Sequence, residues 1–155
     1  ELPEFRLIKT IFNHFLPPSL QSEFIQKIFI RQIDEPMKDI VQAWFMSGDE
    51  LAEMAKAGME LAGHSVKHPW LSMIGQEEIE QEARVSRSTL NEITNREVTS
   101  FAWTFGSSVP RPEAKDAVAK AGYASAWNFW EHVRGSGFYG DLFDIPRLHE
   151  AFVDA

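Results

Sequence analysis

Gly58-Met59-Glu60-Leu61-Ala62-Gly63-His64-Ser65-Val66-Lys67-His68-Pro69-Trp70-Leu71 holds the densest set of structural signals in the chain. Gly58 is suited to end a helix in the left-handed conformation, because it has no Cβ to clash there. Met59 to Ala62 reads as a short strand running straight into Gly63-His64. Two histidines four apart, just after a strand, can aim two imidazole nitrogens at one cation if the residues between them make a helical turn. In parallel α/β sheets, ligands collect at the carboxyl ends of strands. The bare His-x-x-x-His pattern is equally met by two unrelated loop histidines.

Outward from this stretch the signals alternate. Upstream, Ser47-Gly48-Asp49-Glu50 has the capping-box form, and Leu51, Met54 and Ala55 follow at helical spacing. Downstream, residues 76–94 predict a long helix with Ile79, Ala83, Leu90 and Ile93 on its apolar stripe. Val98 to Trp103 predicts a strand closed by Phe105-Gly106, where glycine lets a backbone amide approach a ligand. On the residues alone, Phe101 and Trp103 read as core residues and Gly106 as a turn. Pro112 suits a helix start, Ala114, Ala117, Val118 and Ala121 give a narrow packing face, and Gly122 ends that helix. Tyr123 to Trp127 and Phe143 to Leu148 are further strand candidates. Strand and helix in alternation with glycine punctuation predict parallel βαβ units, an α/β fold.

Residues 4–33 predict a helical pair ahead of this pattern. Phe5, Ile8, Phe12 and Phe15 share one helix face, Pro17-Pro18 break the helix, and Ser19 could cap a second one carrying Phe24, Ile25, Ile28 and Phe29. His14 reads as a surface histidine. Asp34-Glu35-Pro36-Met37 is a break before the apolar run at residues 40–46.

Composition narrows the function classes. Fifteen basic against 23 acidic residues give a net charge of −8, which argues against nucleic-acid binding, since phosphate contacts need lysine and arginine clusters. Cysteine is absent, which removes disulfides, thiolate metal sites and a thiol nucleophile together. The apolar runs fall well short of the ~20 residues that a membrane span requires. The sequence opens at Glu1 with no leader pattern, so the expectation is a processed chain or an excised piece.

The histidine block, the glutamate-rich helix and the Phe101-Ala102-Trp103-Thr104-Phe105-Gly106 strand end, in that order, resemble the polysaccharide deacetylase family (NodB-homology domain, carbohydrate esterase family 4). Residues 58–68 are similar to its G-x-E-[IL]-[GA]-x-H-[ST]-x-x-H motif at every position. Ala119 to Ala126 and Ile145-Pro146-Arg147-Leu148 look like its later helix and strands. The resemblance implies a partial or distorted (β/α) barrel over residues 47–155, with residues 1–46 as a helical segment or insertion. It implies hydrolysis of N-acetyl or O-acetyl groups on an oligo- or polysaccharide, with a divalent cation of the Zn2+ type held by two histidines and an aspartate. A carboxylate would take a proton from water, and a backbone amide would stabilise the oxyanion. Carried over to this chain, His64 and His68 become metal ligands, the Phe105 N–H the oxyanion donor and His149 the general acid. Trp103 and Trp127, with Trp70, become candidates to line a sugar groove or, alternatively, core residues. Cell-envelope or secreted work follows from the resemblance alone.

One family element is missing. The T-F-D-D motif, which supplies the metal-binding and base aspartates, has no counterpart, and Asp34-Glu35 and Asp49-Glu50 do not follow strand-like runs. Thr104 stands in place of the usual proline. The expectation is therefore the C-terminal part of a deacetylase domain, impaired alone and prone to self-association or to pairing with a missing N-terminal half. A non-catalytic carbohydrate-binding or assembly module on the same scaffold, or an unrelated α/β domain with incidental histidines, are the alternatives. Asp141, Asp144 or an acidic residue of another chain brought to the histidines would restore a catalytic reading.

Overall fold

The computed structural model describes residues 3–105, 110–130 and 140–148. The chain divides between Ser47 and Gly48 into two compact units.

The first unit is helical. Helix α1 spans Pro3–Phe15, α2 Pro18–Gln32 and α3 Met37–Trp44. The Pro17-Pro18 break falls where the sequence predicts it. The cap differs: Pro17 occupies the N-cap and Pro18 the first turn of α2, so Ser19 lies inside the helix. Proline is tolerated there because the first-turn amides have no intrahelical partner. Phe12 of α1 and Phe24 of α2 bring their rings to 5.9 Å.

The second unit carries the α/β pattern. Helix α4 spans Gly48–Lys56, and a 3-10 turn spans Leu71–Met73. Helix α5 covers Gln76–Thr94, β1 Ser100–Ala102, α6 Pro112–Lys120, β2 Ser125–Trp130 and β3 Ile145–Leu148. Helix α4 closes as its sequence predicts. Gly58 sits at φ +91°, the Met59 N–H donates to the Met54 carbonyl and the Gly58 N–H to that of Ala55, a Schellman closure. Gly122, at φ +96°, follows α6 in the same conformation.

The strands form one parallel sheet in the order β1-β2-β3, with Phe101 opposite Ala126 and Trp127 opposite Ile145. This bears out the α/β reading, with strand bounds that differ from those the sequence suggests. Met59–Ala62 is not a strand: only Gly63 pairs with β1, its N–H donating to Ser100 and its carbonyl accepting from Ala102. Val98–Trp103 contracts to Ser100–Ala102, Tyr123–Trp127 shifts to Ser125–Trp130, and Phe143–Leu148 begins at Ile145. The physical reason is visible at Tyr123, whose hydroxyl bonds Ser86 of α5. It belongs to the turn that docks α5, ahead of the ladder.

Strand alternation sorts the sheet faces. Phe101 and Ala126 pack on Ile79 and Ala83 of α5 and on Ala114, Ala117 and Val118 of α6. Ala102, Trp127 and Ile145 lie in register on the opposite face. Helices on one face of a parallel sheet, connected by loops at the strand ends, are the layer arrangement of a (β/α) barrel arc.

Candidate metal and substrate site

The carboxyl end of β1 and the loop after Gly63 build the site. The His64 Nδ1 lies 2.8 Å from the Ala102 carbonyl oxygen. A carbonyl only accepts, so Nδ1 carries the proton and Nε2 is left with the lone pair. Tethering one ring N–H to a backbone carbonyl is how metal-ligating histidines are oriented. The His68 Nε2 approaches the His64 Nε2 to 3.1 Å. Two nitrogens on a tetrahedral zinc at ~2.0–2.1 Å are about 3.3 Å apart, so this separation fits a shared cation.

The convergence does not come from a helical turn. Ser65 and His68 both take left-handed backbone conformations, at φ +63° and +54°, and the His68 N–H donates to the Ser65 hydroxyl at 3.0 Å. Between them, the Val66 and Lys67 N–H groups both donate to Glu82 Oε2 of α5, at 2.8 and 2.9 Å. Glu82 is only 9% exposed. Sequence reasoning missed it, although a signal was available: Glu82 lies three residues after Ile79, on the stripe that α5 buries.

Phe105 is also left-handed, at φ +61°. Its ring meets the His68 ring edge-on at 4.5 Å and stacks on Trp70 at 4.3 Å, 10° from parallel. Thr104 donates its hydroxyl to the Pro69 carbonyl at 2.7 Å, so the end of β1 grips the histidine loop on both sides. Three of the four left-handed non-glycine residues described (Ser65, His68 and Phe105, with Asn95 the fourth) belong to this cluster. Each such conformation costs ~1–3 kcal/mol and persists where surroundings enforce it, typically at functional sites. Burial, and next the neighbouring His64, hold the His68 pKa below the ordinary 6.5, which favours the neutral ring that binds a metal.

The remaining sequence candidates fall elsewhere. Trp103 is a correction: it is 4% exposed, packs edge-on against Phe101 and donates its indole N–H to the Phe143 carbonyl. It is a core residue with no face for a sugar. Trp127 is 37% exposed, on the sheet face away from α5 and α6. Asp141 and Asp144 pair with Lys115 of α6. His149 and Gly106 lie outside the described residues, as do the side chains of His14 and Trp130. Among the described residues no third histidine, aspartate or glutamate joins the His64–His68 pair. The donor set present therefore fits a divalent cation with two of its ligands. No helix among the described residues is long and apolar enough to cross a membrane.

The fold is similar to that of a polysaccharide deacetylase from Bacillus cereus, at 24% identity and a TM-score of 0.55, over 66% of this chain and 32% of that one. It is similar to a deacetylase domain from Bordetella bronchiseptica, at 19% identity and a TM-score of 0.52, over 68% and 49% of the two chains. A de-N-acetylase from Aggregatibacter actinomycetemcomitans gives 15% identity and a TM-score of 0.52, over 67% and 48%. The matched region spans about a third to a half of these structures. No curated protein sequence matches the chain. The polysaccharide deacetylase family itself matches residues 30–126, more than half of the sequence and the whole histidine block, and the chain belongs to that family.

Proposed function

We propose that this chain is the C-terminal part of a metal-dependent deacetylase acting on N-acetylated, or O-acetylated, carbohydrate polymer. Residues 47–155 supply part of the (β/α) barrel and residues 1–46 a helical segment. The observation that carries the reading is the 3.1 Å approach of the two Nε2 atoms, with the His64 ring fixed from behind by Ala102. His64 and His68 would hold the cation, of the Zn2+ type, which supplies Lewis acidity toward the acetyl carbonyl. Phe105 lies against His68, and its backbone N–H is the candidate donor to the oxyanion, where one preorganised donor contributes ~3–4 kcal/mol to the barrier. His149 is the candidate acid for the leaving amine. The Trp70–Phe105 stack walls one side of the site, and Trp127 offers an exposed indole to a sugar face.

No carboxylate among the described residues joins the histidines, and the sequence has no T-F-D-D motif. Slow turnover by this chain alone follows, since a base must reach the attacking water. The test is calorimetric titration with Zn2+ beside the His64→Ala/His68→Ala double variant, followed by acetate release from N-acetylglucosamine oligomers. One-to-one binding that the double variant loses is expected, with acetate release well below that of a complete deacetylase domain. Equal binding by both proteins would refute the metal assignment.

A further inference from the structure

We infer that Glu82 is a positioning residue for the histidine pair, acting through the backbone of the loop between the two imidazoles; the inference rests on the metal reading above. The loop from His64 to His68 has no regular secondary structure and two left-handed residues. Left to itself it would relax toward ordinary backbone angles. Glu82 opposes this by accepting both central amides on a single oxygen, at 2.8 and 2.9 Å. Hydrogen bonds to a charged acceptor are roughly twice as strong as those between neutral groups. Two of them match the strain of Ser65 and His68 in scale.

The anchor is also rigid. Glu82 is 9% exposed and stands on α5 between Ile79 and Ala83, both fully buried. Its neighbour one turn on, Ser86, is bonded to the buried Tyr123. A carboxylate fixed to the core at this depth sets where residues 66 and 67 lie. The covalent geometry on either side then sets where the two imidazoles meet. Glu82 bonds the Val66 and Lys67 amides and neither imidazole, so its effect is on placement and not on chemistry.

The experiment compares wild type with Glu82→Gln, Glu82→Asp and Glu82→Ala in the full chain. Gln keeps an acceptor oxygen at the same reach, Asp withdraws the carboxylate by one methylene, and Ala removes it. Two signals are read on folded protein: Zn2+ affinity by calorimetry, and metal-free imidazole 15N–1H spectra reporting the His64 tautomer and the His64–His68 bond. Expected are a 10–100-fold loss of affinity and a split imidazole pair in Asp and Ala, with Gln retaining most of both. If Ala does not fold, Asp against Gln decides. Unchanged affinity and spectra in folded Asp or Ala variants would overturn the inference, even with a lowered Tm, and would leave the metal reading intact. A wild type that binds no Zn2+ but shows the paired imidazoles, split in Asp and Ala, would overturn the metal reading and keep the role of Glu82. Absence of the pair in wild type overturns it too.

Discussion

A Cβ added at Gly63 would stand 1.9 Å from the Tyr123 hydroxyl and 2.7 Å from its Cζ. Glycine is required here for close approach. The backbone passes over a buried tyrosine whose hydroxyl is bonded to Ser86, and burial, outweighing the lowering effects of that bond and of Arg87, raises its pKa above 10.0. Tyr123 has no room to yield, because its ring also packs on Phe101 at 5.1 Å. Gly63→Ala is expected to destabilise the second unit by ~1–3 kcal/mol, the usual cost of overpacking, and to weaken Zn2+ binding by displacing His64. Thermal unfolding and calorimetry on the one variant check both effects.

Helices α5 and α6 hold the strands in place by different means. α5 ends at Asn95, left-handed at φ +51°, and its C-terminal half bonds forward: Asn91 accepts from the Val98 N–H, and Arg87 donates to the Val98 carbonyl. This fixes the entry to β1. α6 is tied to the entry of β3 by Lys115, whose ammonium lies 2.7 Å from Asp141 and 3.4 Å from Asp144. Asn128 of β2 donates to Asp144 at 2.8 Å. Burial works against the charge on Lys115, but the bond to Asp141 and the field of Asp144 outweigh it and raise its pKa. The Asp141 pKa is lowered, chiefly by the Lys115 bond and then by the Phe143 N–H. Lys115→Met is expected to cost about 1–2 kcal/mol at neutral pH, a figure discounted because Asp141 is largely exposed. With a depressed carboxyl pKa, the contribution is complete above the ordinary value of 3.8 and lost as pH falls through the folded value. The Tm gap between wild type and variant should therefore stay open at neutral pH and close as the pH falls below the ordinary 3.8.

At the scale of the whole molecule, one continuous core supports the second unit. Phe101 is its centre: 1% exposed, in ring contact with Trp103 and Tyr123, and facing α5 and α6. Phe101→Ala should cost ~3–5 kcal/mol, a large share of the ~5–15 kcal/mol that holds a domain folded. Urea unfolding followed by tryptophan fluorescence should show the second unit's transition at much lower denaturant, and a shift under 1 kcal/mol would contradict a single shared core. On the other sheet face, Trp127 is 37% exposed.

Much of this organisation was legible in the chain itself. The two proline-parted helices, the glycine ends of α4 and α6, the 19 residues of α5 and the buried alanines of α6 follow from local periodicity and capping, which depend on neighbours within a turn or two. The histidine block likewise marked the candidate ligands. What the sequence could not set was how far each strand extends, since ladder bonds depend on partners distant in the chain. It also could not show that Trp103 lies inside and Trp127 outside, a matter of pleat and register in the assembled sheet. Least visible was the closing of the histidine pair, because it is held by a carboxylate 14 residues beyond His68 on a packed helix, and only the tertiary fold brings that oxygen under the loop.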